Sequence, residues 1–226
     1  MDWRGRMKAL TFSYDDGVEQ DVRLIDILNR YGMKCTFNLN SGQASPSNSW
    51  ERGGVTIRRI DSSRYRSIYR GHEPACHALT HPHLEKLSED AIDRELREDK
   101  ANLERWFGVS VQGMAYPFGT YDDRVARVAE SVGLRYARST VSTRSFDMPG
   151  DLMRMPATCH HKDPALPELI DRFLAARPVR PALFYIWGHS YEFDIDNNWQ
   201  VIEDACKALA GREDVFYGTN AQTLLG

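Results

Sequence analysis

Residues 8–39 read KALTFSYDDGVEQDVRLIDILNRYGMKCTFNL, and this stretch decides the fold. Residues 8–13 are a short apolar run and predict a strand. Residues 21–31 carry Val22, Leu24, Ile25, Ile27 and Leu28 at helical spacing and stop at Gly32, a glycine end signal. Residues 35–39 (CTFNL) predict a second strand. Strand, helix and strand in this order predict a parallel pair with the helix as crossover. Asp15-Asp16-Gly17 falls where the first strand ends, and in such folds chemistry sits beyond the carboxyl ends of the strands.

The alternation continues outward. Residues 41–54, rich in Ser, Gly, Asn and Pro, predict a loop. Residues 74–78 predict a strand that ends at a polar site, and Ser88 caps a helix over 89–107 with Ile92, Leu96 and Leu103 on one side. A strand over 111–116 precedes a helix over 122–132 that ends at Gly133. Short strands are expected at 136–138 and 153–155, a helix at 166–176, an apolar strand at 182–187 (ALFYIW), a helix at 199–210, a strand at 215–217 and a last turn at 221–225. No linker or repeat interrupts the pattern, so residues 1–226 are expected to form a single α/β catalytic domain, a parallel sheet or barrel with helices outside.

The net charge of −3 and the pI of about 6.2 suggest neither a nucleic-acid nor an anionic-membrane partner. Residues 58–70 (RRIDSSRYRSIYR) come nearest to a basic patch and read as a solvated helix or loop face. No stretch reaches the ~18 apolar residues that span a bilayer. The start MDWRGRMKALTF lacks an apolar h-region, so either the protein is cytoplasmic or a leader has been lost, with Met7 as an alternative start. Cys35, Cys76, Cys159 and Cys206 are widely spaced, which argues against a disulfide framework; Cys35 and Cys76 read as buried thiols.

Four polar clusters each follow an expected strand: Ser13-Tyr14-Asp15-Asp16-Gly17, His77-Ala78-Leu79-Thr80-His81, Ala115-Tyr116-Pro117-Phe118-Gly119 and Trp187-Gly188-His189-Ser190. Alone, Asp-Asp-Gly is a tight turn and His-x3-His a shared loop. Together, two histidines and a carboxylate suit a divalent ion: zinc first, with cobalt, manganese, nickel or iron fitting the same donors. Water on such an ion becomes acidic, a second aspartate can act as base, and His189 as acid to a leaving amine. His77 is not followed by Glu, so the HExxH zincin pattern is absent. Two histidines and a carboxylate also describe non-haem iron oxygenases, which usually sit on all-β folds unlike this one. No G-x-S-x-G elbow surrounds Ser190.

From residue 8 to residue 225 the order and spacing of these clusters resemble the NodB-homology polysaccharide deacetylases, carbohydrate esterase family four. The resemblance implies a distorted (β/α)7-type barrel, with Asp15 as base, Asp16, His77 and His81 as metal ligands, and His189 as acid. The Phe118 amide would help stabilise an oxyanion, Trp187 would line a pocket for the acetyl methyl, and Tyr116, Pro117 and Tyr191 join Phe118 and Trp187 as candidate substrate-binding residues. The expected reaction is hydrolysis of an N-acetyl or similar acyl amide group on a saccharide, with Asp15 deprotonating the metal-held water. A metal-dependent amidase on a small formamide, cyclic amide or ureide, or a catalytically silent carbohydrate-binding protein, are the alternatives. Oligomeric state is left open.

Three departures stand out. Ala115 replaces the family's third-motif arginine, which orients the catalytic aspartate; Arg154 or Arg138 are candidate substitutes. Ala78 replaces a Ser or Thr that braces the second motif. The fourth motif is unrecognisable, leaving Asp147 and Asp151 as candidates to tune His189. Tyr191 and Phe193 serve either a sugar cleft or loop packing. His160-His161 would make a second metal site only if neighbouring residues faced one way, and strand neighbours face opposite ways. His72 and His83 read as surface or supporting groups.

Overall fold

The computed structural model describes residues 3–226. β1 (Lys8–Asp15), α1 (Gln20–Arg30) and β2 (Cys35–Leu39) form the expected unit, with β1 running on to include the first aspartate. The expected loop instead holds a hairpin, β3 (Ser49–Arg52) with β4 (Val55–Arg58), joined through Gly53 and Gly54 at φ 58° and 77°. Positive φ at both turn residues matches the strand twist, and glycine adopts it without cost. α2 (Ser62–Ile68) begins at Asp61, whose side chain accepts from Ser63 N. β5 (Glu73–Cys76) leads into α3 (Glu89–Phe107), where the Ser88 hydroxyl accepts from Ala91 N and Gly108 closes the far end at φ 71°. β6 (Gly113–Ala115), α4 (Asp123–Ser131), β7 (Tyr136–Ser142), β8 (Met155–Ala157), β9 (Cys159–His160) and α5 (Leu166–Ala175) follow. The chain ends with β10 (Ala182–Gly188), the single turn α6 (Glu192–Ile195), α7 (Gln200–Leu209), β11 (Val215–Tyr217) and α8 (Asn220–Leu224).

The main sheet has the order β8-β7-β6-β5-β2-β1-β10-β9, with every pairing parallel. Only Thr158 separates β8 from β9. One pairs with β7 and the other with β10, so this single segment closes the ring into a distorted barrel of seven positions. β11 pairs with Lys8–Leu10 of β1, below the point where β2 begins at Phe12.

Side chains alternate across the wall, as strand geometry requires. Leu10, Phe12 and Tyr14 pack outward against the helices, while Ala9 lies in a second cluster with Tyr136, Leu183, Tyr185 and Trp187. By the same alternation Thr11, Ser13 and Asp15 share the face of Ala9. Polar groups in that interior are closed off by α8. Asn220 Nδ2 donates to Tyr185 Oη (2.6 Å), Asn220 Oδ1 accepts from Thr11 (2.9 Å), and Asn220 N donates to Thr36 Oγ1 (2.8 Å). Half-buried Glu73 accepts from Thr36, Tyr136 and Ala221 N. The polar side chains of Asn220 and Glu73 are tolerated there because they find these partners. Among the described residues no helix is long and apolar enough to cross a membrane.

Candidate active site

The four polar clusters meet at one mouth of the barrel. Asp15, the last residue of β1, is 3% exposed. Its carboxylate takes Arg138 Nη2 on both oxygens (2.6 and 2.5 Å) and Asn38 Nδ2 on Oδ1 (2.7 Å). His77 Nε2 and His189 Nε2 each stand 4.0 Å from Asp15 Oδ2. Asp16 follows at φ 88°. Its Oδ1 lies 4.0 Å from His77 Nε2 and 3.8 Å from His81 Nε2, and its Oδ2 lies 3.9 Å from His189 Nε2.

Asp16, Ala78, His81 and Phe118 all have φ between 58° and 88°, a region that side chains other than glycine rarely adopt. They are four of the seven such residues described, and all lie at this mouth. Strained backbone of this kind persists where the surroundings over-determine it, and here they do. Asn40 Nδ2 donates to the carbonyls of His77 and Ala78, doing the bracing expected of the missing Ser or Thr. Asp99 accepts from Ser41 N (2.7 Å) and His77 N (3.0 Å), and Glu95 accepts from Thr80 N and Thr80 Oγ1 (both 2.8 Å). Arg59 donates to Asp16 O, Asp16 Oδ1 and Asn40 Oδ1.

Asp99→Asn turns an amide N–H toward one of those two backbone donors. His77 N keeps its bond to Leu39 O (3.0 Å), so what is lost is one hydrogen bond to a charged acceptor; stability at pH 8 is expected to fall by about 1–3 kcal/mol and Tm by about 2–10 °C in a thermal scan. An unchanged Tm would show that Asp99 does not hold the His77 turn. The pH matters because burial pushes the Asp99 carboxyl up to about 7.

The three predicted metal ligands are brought together: the donor atoms of Asp16, His77 and His81 all lie within 4.8 Å of one another. His77 Nδ1 is 2.7 Å from the Ala115 carbonyl, which fixes the proton there and leaves the Nε2 lone pair facing His81 Nε2 at 3.2 Å. Burial lowers the pKa of both rings, that of His81 to about 4, so both are neutral near pH 7. Two neutral imidazoles and one carboxylate facing a common point fit a divalent ion such as zinc.

The structure supplies the arginine that Ala115 lacks. Ala115 and Arg138 are partners across β6 and β7, and partners across a parallel pair share a face. Arg138 is 1% exposed, its guanidinium lies 4.4 Å from the Trp187 ring, and its charge bonds Asp15. Burial pushes the Asp15 carboxyl up, but the charge of Arg138, joined by that of His189 and by the Arg138 hydrogen bonds, outweighs it and holds the group below its ordinary value. Arg154, the other candidate, pairs with Asp123 and Asp151 at the surface.

The partner of His189 is Glu192, not Asp147 or Asp151. Asp151 caps a surface turn, and Asp147 accepts from Ser145 at an exposed position. Glu192 Oε2 lies 3.3 Å from His189 Nδ1 and accepts from His189 N at 3.2 Å. Burial pulls the His189 pKa down, but the Glu192 bond and the charges of Asp16 and Asp15 outweigh it and leave the pKa raised.

The substrate-binding candidates fall into two groups. Phe118 is half exposed, stacked on His83 (4.0 Å between centroids) with its ring beside His81, and Pro117 fixes the start of its turn. Trp187 and Tyr191 are buried walls, Tyr191 meeting Trp50 and Arg52 of the hairpin. Tyr116 is a correction: it is 1% exposed, bonds Met153 O and stacks on Tyr121, so its side chain packs rather than faces a ligand. His72 is half-buried against Phe37.

The sequence reading missed Asn38, Asn40, Arg59, Glu95, Asp99 and Glu192. Arg59 lay inside the stretch read as a solvated face, yet it is 7% exposed. The signals available were the position of Asn38 at the end of β2 and the three-residue step from His189 to Glu192.

Residues 4–137 match the polysaccharide deacetylase family profile. The chain belongs to the polysaccharide deacetylase family. It is 29% identical over 145 residues to a chitooligosaccharide deacetylase of Sinorhizobium fredii, covering 63% of this chain and 61% of that one. It is also 25% identical over 143 residues to the uncharacterised protein YlxY of Bacillus subtilis, covering 63% of this chain and 41% of that one. This deacetylase-family chain therefore spans about two to three fifths of the length of those curated relatives. A family 4 carbohydrate esterase from Streptomyces lividans, solved with acetate, shares the fold at TM-score 0.60 and 18% identity, covering 97% of each chain. A mutant of the CE4 family pseudoenzyme BA3943 of Bacillus anthracis, with restored enzymatic activity, does so at TM-score 0.63 and 18% identity, covering 96% of this chain and 68% of that one.

Proposed function

We propose that this member of the polysaccharide deacetylase family hydrolyses an N-acetyl group from an amino sugar of a saccharide. The observation that carries this reading is the pair Asp15 and His189, at the ends of the neighbouring strands β1 and β10, whose reactive atoms lie within 4.0 Å of members of the Asp16–His77–His81 donor set. Asp16, His77 and His81 would hold a divalent ion, whose Lewis acidity polarises the acyl oxygen and makes water more acidic. Asp15, kept ionised by Arg138, takes the proton of the attacking water. The C–N bond breaks as His189 gives its Nε2 proton to the leaving nitrogen, and acetate and amine separate. Trp187 offers an apolar wall for the acetyl methyl. Arg138 on Asp15 supplies the cation that Ala115 lacks, which favours turnover over silent sugar binding.

The test is acetate release from a series of N-acetylglucosamine oligomers, with small formamides and cyclic amides alongside. Chelated and zinc- or cobalt-reconstituted protein are compared, and bound metal is counted by elemental analysis. Metal-dependent acetate release from the oligomers supports the proposal. Turnover of the small amides alone, or one bound metal with no acyl release, overturns it.

The raised pKa of His189 gives a pH prediction. An acid must be protonated, so the alkaline limb of kcat falls as pH rises through a value above the ordinary 6.5. Glu192→Gln removes the charge that favours the imidazolium, so that alkaline limb is expected to move to lower pH. A kcat–pH profile checks it, and a limb that stays in place would detach Glu192 from His189.

A further inference from the structure

Three imidazoles surround one carboxylate behind the candidate active site. Glu192 Oε2 faces His189 Nδ1 (3.3 Å), His160 Nε2 (3.1 Å) and His161 Nε2 (3.5 Å). Strand β9 pairs with β10, with His160 opposite Trp187, which brings His160 alongside the chain end that carries His189. The ring of His160 stands edge-on to the Trp187 indole (4.5 Å, 84°), and Arg138 lies over the same indole.

These three side chains are close enough to hold an ion, but the protons argue otherwise. Lys162 N donates to His160 Nδ1 at 3.1 Å, which makes Nδ1 an acceptor and places the ring proton on Nε2. With its proton there Nε2 is no metal ligand, and it faces Glu192 Oε2 at 3.1 Å. His161 lies stacked between Phe193 and Tyr14 on the outward side. Glu192 sits on a single helical turn that by itself has little rigidity; His189 N and Nδ1 both meet its Oε2, and His160 Nε2 is the side-chain nitrogen from another strand that stands nearest to it.

We propose that His160 is a positioning residue for His189: its Nε2–H holds the Glu192 carboxylate in the orientation that aligns the His189 ring. The inference rests on the reading of His189 as the acid. By this account the chain replaces a single orienting acid with a histidine–glutamate pair, and the residue two before Lys162 affects turnover without touching substrate.

The experiment compares His160→Ala with His160→Gln, whose side-chain amide keeps an N–H donor at similar reach. In His160→Ala kcat is expected to fall about tenfold with KM within about twofold, since a hydrogen bond to a charged group is lost while the substrate contacts remain. His160→Gln is expected to recover most of kcat. In parallel, the ring N–H resonance of His189 is followed by proton NMR in substrate-free protein. It should shift or broaden in the alanine variant and return in the glutamine variant. Wild-type kcat together with an unmoved resonance in His160→Ala overturns the proposal, as does loss of a bound metal equivalent in either variant. The NMR arm needs no turnover, so failure of the deacetylase reading, seen as no acyl release by the wild type, is distinguishable from failure of this one.

Discussion

Asp15→Asn is expected to lower kcat by about 10³–10⁴-fold while leaving metal content unchanged, the scale of losing a general base or its orientation. Asn keeps the shape of the side chain and an oxygen for Arg138, but it cannot accept a proton from water. The three candidate ligand side chains, Asp16, His77 and His81, keep their own supports: Arg59 on Asp16, and Asn40, Asp99 and the Ala115 carbonyl on the His77 turn. Metal affinity and catalysis should therefore separate. Single-turnover kinetics with equilibrium dialysis of zinc would check both halves. Near-normal turnover in the variant would remove Asp15 from its role, and loss of metal with loss of rate would make it a ligand instead.

The second large effect concerns the relocated arginine. Arg138→Ala leaves Asp15 as a buried charge without its cation and opens a space beside Trp187. Breaking one partner of a buried pair costs about 3–5 kcal/mol, so stability should drop by that order and kcat by about a hundredfold or more. The informative variant restores the charge from the neighbouring strand. Because Ala115 lies directly opposite Arg138 and shares its face, Ala115→Arg in the Arg138→Ala background puts a guanidinium back within reach of Asp15. The double variant is expected to recover at least about tenfold in kcat, a coupling typical of residues that share one partner. If Arg138→Ala is harmless, Asp15 is oriented by Asn38 alone. If Ala115→Arg gives no recovery although Tm returns, the role of the arginine is tied to its stacking on Trp187.

The motif residues and the fold that carries them were legible early. Apolar spacing marked α1, β2, α3 and β11, and four strand-end clusters named Asp15, Asp16, His77, His81 and His189, because metal-ligand and acid–base chemistry restricts side-chain type. What stayed hidden were the residues that act by orientation. The β3–β4 hairpin looked like loop because Ser, Gly and Asn dominate the stretch around it, and its pairing depends on Gly53-Gly54 closing the turn. Arg59 looked solvated among other arginines until the chain turned it toward Asp16.

The sequence by itself determined the strand–helix alternation and the types of chemical group at the strand ends, since both follow from local spacing and from what a side chain can donate or accept. Tertiary structure alone decided that Arg138 does what position 115 cannot, that Glu192 rather than Asp147 or Asp151 meets His189, and that Asn40 braces the loop at Ala78. Each of these depends on register or on a contact between distant segments. A charge or a hydrogen-bonding group can be supplied by any neighbouring strand that shares the face, and pairing across strands is set by the closed barrel, not by the residues next to each other in the chain.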